Sequence, residues 1–213
     1  MNPLSTAYHY LRAFWAIIRL NRDNQRTDLV FMIADSLLKL GKFQELHRIV
    51  QANPAALKII KEKKQIKISL EDLVKFSPGS LGKVYADHML RFNLDPEFYP
   101  RPETITDETY ILLRLRQTHD LWHVVTGFDT SPLGEISLQS FMLAQMGSPV
   151  SIMIVGSAIL RSVIKNQERL SPLMDGITNG WRMGKQANPL FPYDWESAWT
   201  KDLESVRKEL NVS

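Results

Sequence analysis

The chain has 213 residues, a formal net charge of +3, 44% hydrophobic and 23% charged residues. That is the composition of a folded globular protein, and the length suits one large domain rather than two small ones. The mild basicity, without any zinc-finger, helix-turn-helix or RNA-recognition signature, argues against nucleic acid as a partner. The absence of cysteine excludes disulfides, thiolate zinc sites, iron–sulfur clusters and cysteine nucleophiles.

Residues 4–20 read as a helix opened by Ser5 or Thr6. Tyr8, Leu11, Trp15 and Ile18 recur at spacings of three and four and are expected to pack on the core. Arg12, Arg19, Arg22 and Arg26 make the same end basic, so the alternative is a helix lying on an anionic membrane surface. Residues 27–40 form a second helix with Leu29, Ile33, Leu37 and Leu40 in register and Gly41 as its stop. Shorter helices follow at 43–51 and 54–63, where Pro54 suits a first turn. The charged connector 61–67 is a solvated loop or a patch for phospholipid. Ser69 to Asp72 has the look of a capping box. After a turn at 76–82, Ser80 opens a helix to about Phe92. Pro96, Pro100 and Pro102 make 93–106 a loop.

Thr106 or Asp107 starts the next helix, which carries Tyr110, Leu113 and Gln117 and stops at Gly127. Ser131 and Pro132 open another, running to Met146, and Gly147-Ser148-Pro149 breaks it. Residues 150–164 are apolar nearly all round and are expected to be buried. There Gly156, Ser157 and Ala158 would admit a close neighbour or a ligand. A helix at 171–186, a loop at 188–192 and a last helix capped by Asp194 and ending near Leu210 complete the chain. Nothing alternates apolar and polar residues as a half-buried strand does. The expectation is all-α: a single compact, bundle-like domain over residues 1–213, of roughly nine to eleven helices, with an apolar groove between them. No run reaches the roughly 18 apolar residues of a membrane span. The start lacks a signal-peptide pattern, so a cytoplasmic location is expected.

Chemistry concentrates in residues 119–135. Two of the five histidines, His119 and His123, stand four residues apart, with Asp120 between them and Glu135 after eleven further residues. At about 100° per residue, His119, Asp120 and His123 share one helix face. Glu135, in the first turn of the following helix, can return to them if the two helices form a hairpin. Imidazole and carboxylate are ligands for zinc, iron and manganese, and the oxygens suit magnesium. The same residues also read as a hydrogen-bonded core histidine, a surface Asp120 and a Glu135 that only favours its helix N-terminus. The zincin pattern has Glu where Asp120 stands, and there it is a general base rather than a ligand. A metal phosphohydrolase would need further His and Asp groups, and a di-iron bundle paired Glu-x-x-His motifs; neither set is evident.

His119-Asp120-Leu121-Trp122-His123, eleven residues and Glu135 together resemble the signature of the fourth protein of coenzyme Q (ubiquinone) biosynthesis and its bacterial relatives. Gly79-Ser80-Leu81-Gly82 with Tyr85 is similar to that family's turn. Trp195-Glu196 with Trp199, Leu203, Arg207 and Leu210 is similar to its closing helix. The resemblance covers roughly residues 70 to 213. It implies an all-helical fold and a divalent metal, zinc first with magnesium, manganese or iron as alternatives, on His119, Asp120, His123 and Glu135. It implies a prenylated quinone precursor or other isoprenoid lipid as ligand, a membrane surface, and other quinone-biosynthesis proteins as partners. Two roles come with it. One is a metal-dependent lyase, decarboxylating or hydroxylating a prenylated hydroxybenzoate. The other is a non-catalytic, lipid-binding scaffold. A bacterial, peripherally membrane-associated member is expected, and the aromatic N-terminal helix offers a homodimer face. Met142, Met146, Met153 and Gly156 are the candidates for the lipid tail, since thioethers fill irregular space. Arg114 and Arg116 are candidates for a carboxylate or phosphate head group, or exposed helix charges.

Overall fold

The computed structural model describes residues 2–22, 26–67, 69–98, 105–165 and 167–212. Those residues form eleven α-helices and no strand, apart from one isolated bridge between Ser80 and Asp202. Pro100 and Pro102 of the expected proline-rich loop lie outside the described residues. The chain groups into two compact units, each assembled from two separated segments.

The first unit comprises Met1–Val50 and Asp129–Lys185. It carries α1 (Pro3–Arg22), α2 (Thr27–Lys39), α3 (Gln44–Gln51), α8 (Pro132–Met146), α9 (Pro149–Lys165) and α10 (Leu170–Gln186). The start of α1 differs from expectation: the Asn2 side chain, not Ser5 or Thr6, accepts the free Ser5 N–H at 2.9 Å. Its facing differs too. Ala13, Ala16 and Leu20 are the buried stripe, while Tyr8, Leu11, Trp15 and Ile18 are exposed. Alanines on the inner side let α2 lie close, and Arg12 pairs with Asp35 across that contact.

α9 also departs from the sequence reading. Its buried residues are Ser151, Val155, Ser157 and Ser162, and Ile152, Leu160, Val163 and Ile164 are exposed, Ile164 at 70%. The inward serines carry no unmet hydrogen bond. Ser157 and Ser162 donate to the carbonyls of Ile154 and Ile159 at 2.8 and 2.7 Å, and Ser151 donates to Gln139 of α8 at 2.8 Å. A hydroxyl satisfied in this way costs little to bury, which leaves the apolar side of α9 facing out.

α10 lies against α8 through Gly176, Gly180 and Gly184. A Cβ at Gly180 would stand 2.0 Å from the Ser137 carbonyl oxygen, a backbone atom that cannot rotate away. Gly180→Ala should therefore destabilise the protein by about 1–3 kcal/mol through overpacking, despite the roughly 1 kcal/mol that alanine adds to helix propensity. Gly156→Ala is the matched control. Nothing lies within 4 Å of that Cβ, so propensity alone operates and stability should rise. Urea midpoints of the two variants moving in the same direction would refute this account.

The second unit comprises Gln51–Phe128 and Gln186–Ser213. It carries α4 (Pro54–Glu62), α5 (Leu70–Leu73), α6 (Leu81–Arg91), α7 (Asp107–Thr126), a single 3-10 turn at Trp195–Ser197 and α11 (Leu203–Glu209). α7 is the central helix, touched by α4, α6 and α11, and buries Tyr110, Leu113, Leu121, Trp122 and Val125. Two expected caps are absent. The Ser69 side chain does not cap α5, and the last helix opens not at Asp194 but at Asp202, which accepts from Ser205 N–H at 3.0 Å. The start of α6 is tied to the C-terminal segment by backbone bonds from Leu81 N to Lys201 O and from Gly82 N to Trp199 O, both 2.8 Å.

Candidate metal centre

α7 begins with a reciprocal cap between Thr106 and Thr109 and ends at Gly127, in the left-handed region at φ +74°. No side chain adopts that conformation without strain. The Gly127 N–H closes the helix on His123 O at 2.9 Å. The chain then turns, Ser131 caps α8 by accepting from Gly134 N–H at 3.2 Å, and Pro132 occupies the first turn. Glu135 follows in that turn. The whole site is thus one helix, one five-residue turn and one helix start, as the spacing suggested.

His123 is buried, 2% exposed, and its Nδ1 lies 2.8 Å from the Phe128 carbonyl. A carbonyl only accepts, so Nδ1 carries the proton and Nε2 the lone pair. The rings of His119 and His123 are 4.9 Å apart and nearly perpendicular at 86°. Two imidazoles sharing a tetrahedral ion at about 2.0–2.1 Å hold their centres about 5 Å apart, so this spacing suits joint ligation. His119, His123 and Glu135 each offer one ligand atom, and these atoms all lie within 4.8 Å of one another. The group can therefore hold a metal ion. Asp120, half-buried on the same helix, is not a member of that group.

His88 of α6 was not singled out by its sequence position. Its ring stacks on His123 at 6.2 Å and 22°, and meets Phe92 edge-on at 5.0 Å. A lone histidine 31 residues before His119 carries no spacing signal; only the packing of α6 on α7 shows it.

The head-group candidates separate. Arg114 is 0% exposed, and all three guanidinium nitrogens are engaged within the protein. Nη1 meets Glu196 Oε1 at 2.8 Å, Nε donates to Phe191 O at 3.1 Å, and Nη2 donates to Tyr193 O at 2.9 Å. Its donors are spent on holding the 190–196 segment. Beside it, burial pushes the Tyr110 hydroxyl up to about 12, with Arg114 opposing, and that hydroxyl donates to Lys64 O. Arg116 is half-buried. Met142 and Met146 are core residues of the first unit, whereas Met153 is half-buried and Gly156 is on the exposed side of α9.

The sequence model of the family Coenzyme Q (ubiquinone) biosynthesis protein Coq4 matches residues 2–213. The chain belongs to this family. The match also takes in residues 2–69, upstream of the stretch that carries the resemblance. A mitochondrial COQ4 homologue of Aedes aegypti is 29% identical over 196 residues, 89% of this chain and 70% of the relative. The mitochondrial COQ-4 of Caenorhabditis elegans is 26% identical over 220 residues, 99% of this chain and 93% of the relative. Among solved structures, a protein from Nostoc punctiforme assigned to ubiquinone biosynthesis superposes with a TM-score of 0.81 at 30% identity. That match covers 95% of this chain and 97% of the other. The all-α fold and the family resemblance thus stand, and the family's place is in ubiquinone biosynthesis.

Proposed function

We propose that the chain binds one divalent metal through His119, His123 and Glu135, with Asp120 beside them, and takes a prenylated quinone precursor or related isoprenoid lipid there. The convergence of two imidazoles and one carboxylate within 4.8 Å carries this reading. A metal so held would act as a Lewis acid on a head-group oxygen. The chain's own residues supply the rest. The Phe128 carbonyl keeps the His123 proton on Nδ1, which puts the ligating lone pair on Nε2. Glu135 brings negative charge that would offset part of the charge of a divalent ion. Three protein ligands are the number typical of catalytic zinc, whereas structural zinc sites use four. This favours the lyase reading, in which the ion would polarise the head group while the ring carboxylate leaves as CO2 and a proton takes its place, over a structural ion in a scaffold.

The exposed apolar residues of the first unit support the membrane part of the proposal. Leu4, Tyr8, Leu11, Phe14, Trp15 and Ile18 lie open on α1, and Ile152, Leu160, Val163 and Ile164 on α9. Arg19 rests on the Trp15 ring at 5.0 Å, and Arg22, Arg161 and Lys165 add positive charge. Among the described residues no helix is long and apolar enough to cross a membrane. An exposed aromatic and aliphatic face edged by arginines suits the interface of an anionic bilayer, and there an isoprenoid tail can pass from lipid to protein.

The test is elemental analysis together with native mass spectrometry of protein purified near pH 7 without chelator. About one divalent ion per chain and a retained isoprenoid are expected. A metal-free protein that shows no preference for isoprenoid over other extracted lipids would end the proposal.

A further inference from the structure

We propose that Arg207 is a positioning residue for His123: it fixes the imidazole by clamping the end of α7, without touching the ion or the lipid. The inference rests on the metal reading above only in its consequence for affinity.

The last carbonyls of a helix have no partner within it, and the helix dipole makes that end negative. At the end of α7 they are taken up one by one. His123 O receives the Gly127 N–H at 2.9 Å. Val124 O and Val125 O receive Nη2 and Nε of Arg207 at 3.0 and 2.9 Å, and the remaining Nη1 pairs with Glu204 at 2.6 Å. Arg207 comes from α11, 82 residues beyond Val125. Its fork spans two successive peptide carbonyls, a geometry that the point charge of a lysine cannot reproduce. With those carbonyls held, the chain turns at Gly127 and returns Phe128 O to His123 Nδ1. The tautomer and the direction of Nε2 follow from that turn.

The guanidinium is not what docks α11. Leu203, Val206 and Leu210 are buried, and Leu203 N–H donates to Gly79 O at 2.9 Å. Removing the Arg207 head group should therefore leave the fold standing and loosen the His123 turn.

The experiment uses the full chain as Arg207→Met, Arg207→Lys and Glu204→Gln. Nitrogen-15 NMR of the metal-free proteins reads the His123 imidazole, and calorimetry with Zn²⁺ reads affinity. Wild type and Glu204→Gln should show a slowly exchanging Nδ1–H. Arg207→Met should lose it and bind Zn²⁺ about 10–100-fold more weakly, the usual cost of losing outer-shell support. Arg207→Lys should fall between, and it carries the test if the methionine variant does not fold. An Nδ1–H signal and a Zn²⁺ affinity unchanged in Arg207→Met would overturn the clamp. Wild type that binds no Zn²⁺ would overturn the metal reading instead, and the signal from metal-free protein would still decide the role of Arg207.

Discussion

Replacing Arg114 by alanine is expected to lower the unfolding free energy by about 3–5 kcal/mol, the usual cost of breaking a buried ion pair by removing one partner. The side chain is 0% exposed and satisfies Glu196 together with the carbonyls of Phe191 and Tyr193. Its loss takes a donor from each of three acceptors, of which Tyr193 O keeps the Trp195 N–H at 3.0 Å. One compensation is already in place: Lys64 Nζ lies 3.9 Å from Glu196 Oε2, so the carboxylate keeps a partial counter-charge and the effect should sit at the lower end. Glu196→Ala is the harsher change, because it leaves a fully buried guanidinium with peptide carbonyls alone. For a chain of this size, 3 kcal/mol corresponds to roughly 6–12 °C in melting temperature. Thermal unfolding followed by circular dichroism measures it. Melting temperatures within a degree or two of wild type for both variants would show that the 190–196 segment holds without the pair.

Replacing His123 by alanine should reduce divalent metal affinity by at least about 100-fold, more than the loss of an outer-shell contact. Its ring is held in place, since Nδ1 is tied to Phe128 O. Asp120→Ala should cost far less, because Asp120 is outside the set of converging donors. Titration of the metal-depleted proteins with Zn²⁺ separates the two. An Asp120 variant that loses as much as the His123 variant would move the centre onto the carboxylate beside His119. Full stoichiometry in His123→Ala would remove His123 from it.

Helix boundaries were legible wherever a cap and a stop are local chemistry. Ser131 with Pro132, and Gly127 in the left-handed region, mark α8 and α7 in the sequence as in the structure. The facing of two helices was not. α1 carries two stripes at helical spacing, Tyr8-Leu11-Trp15-Ile18 and Ala13-Ala16-Leu20. Periodicity cannot say which turns inward; the smaller one does, because it lets α2 approach. On α9 hydropathy pointed the wrong way, since serines that bond to their own helix can be buried cheaply and carry no apolar mark. The convergence of His119, His123 and Glu135 was legible because they are close in sequence, whereas Asp120, read with them, is outside that group. Arg207 and the partners of Arg114 act across 77 to 83 residues, and no local pattern announces such pairs. His88 is hidden for the same reason.

The interleaved make-up of the two units bears on the chain's synthesis. The first unit needs residues up to 185 and the second needs the final segment. Arg114 leaves the ribosome 82 residues before Glu196. At about 5–20 residues per second, that is a wait of roughly 4–16 s. For that time the Arg114 guanidinium of α7 is without the Glu196 counter-ion. The clamp on the His123 turn is delayed by as long, because Arg207 follows Val125 by 82 residues. Metal capture should therefore be a late step that waits for residue 207 to emerge. A nascent chain stalled before the last 28 residues should be unable to keep the ion and should engage holding chaperones instead.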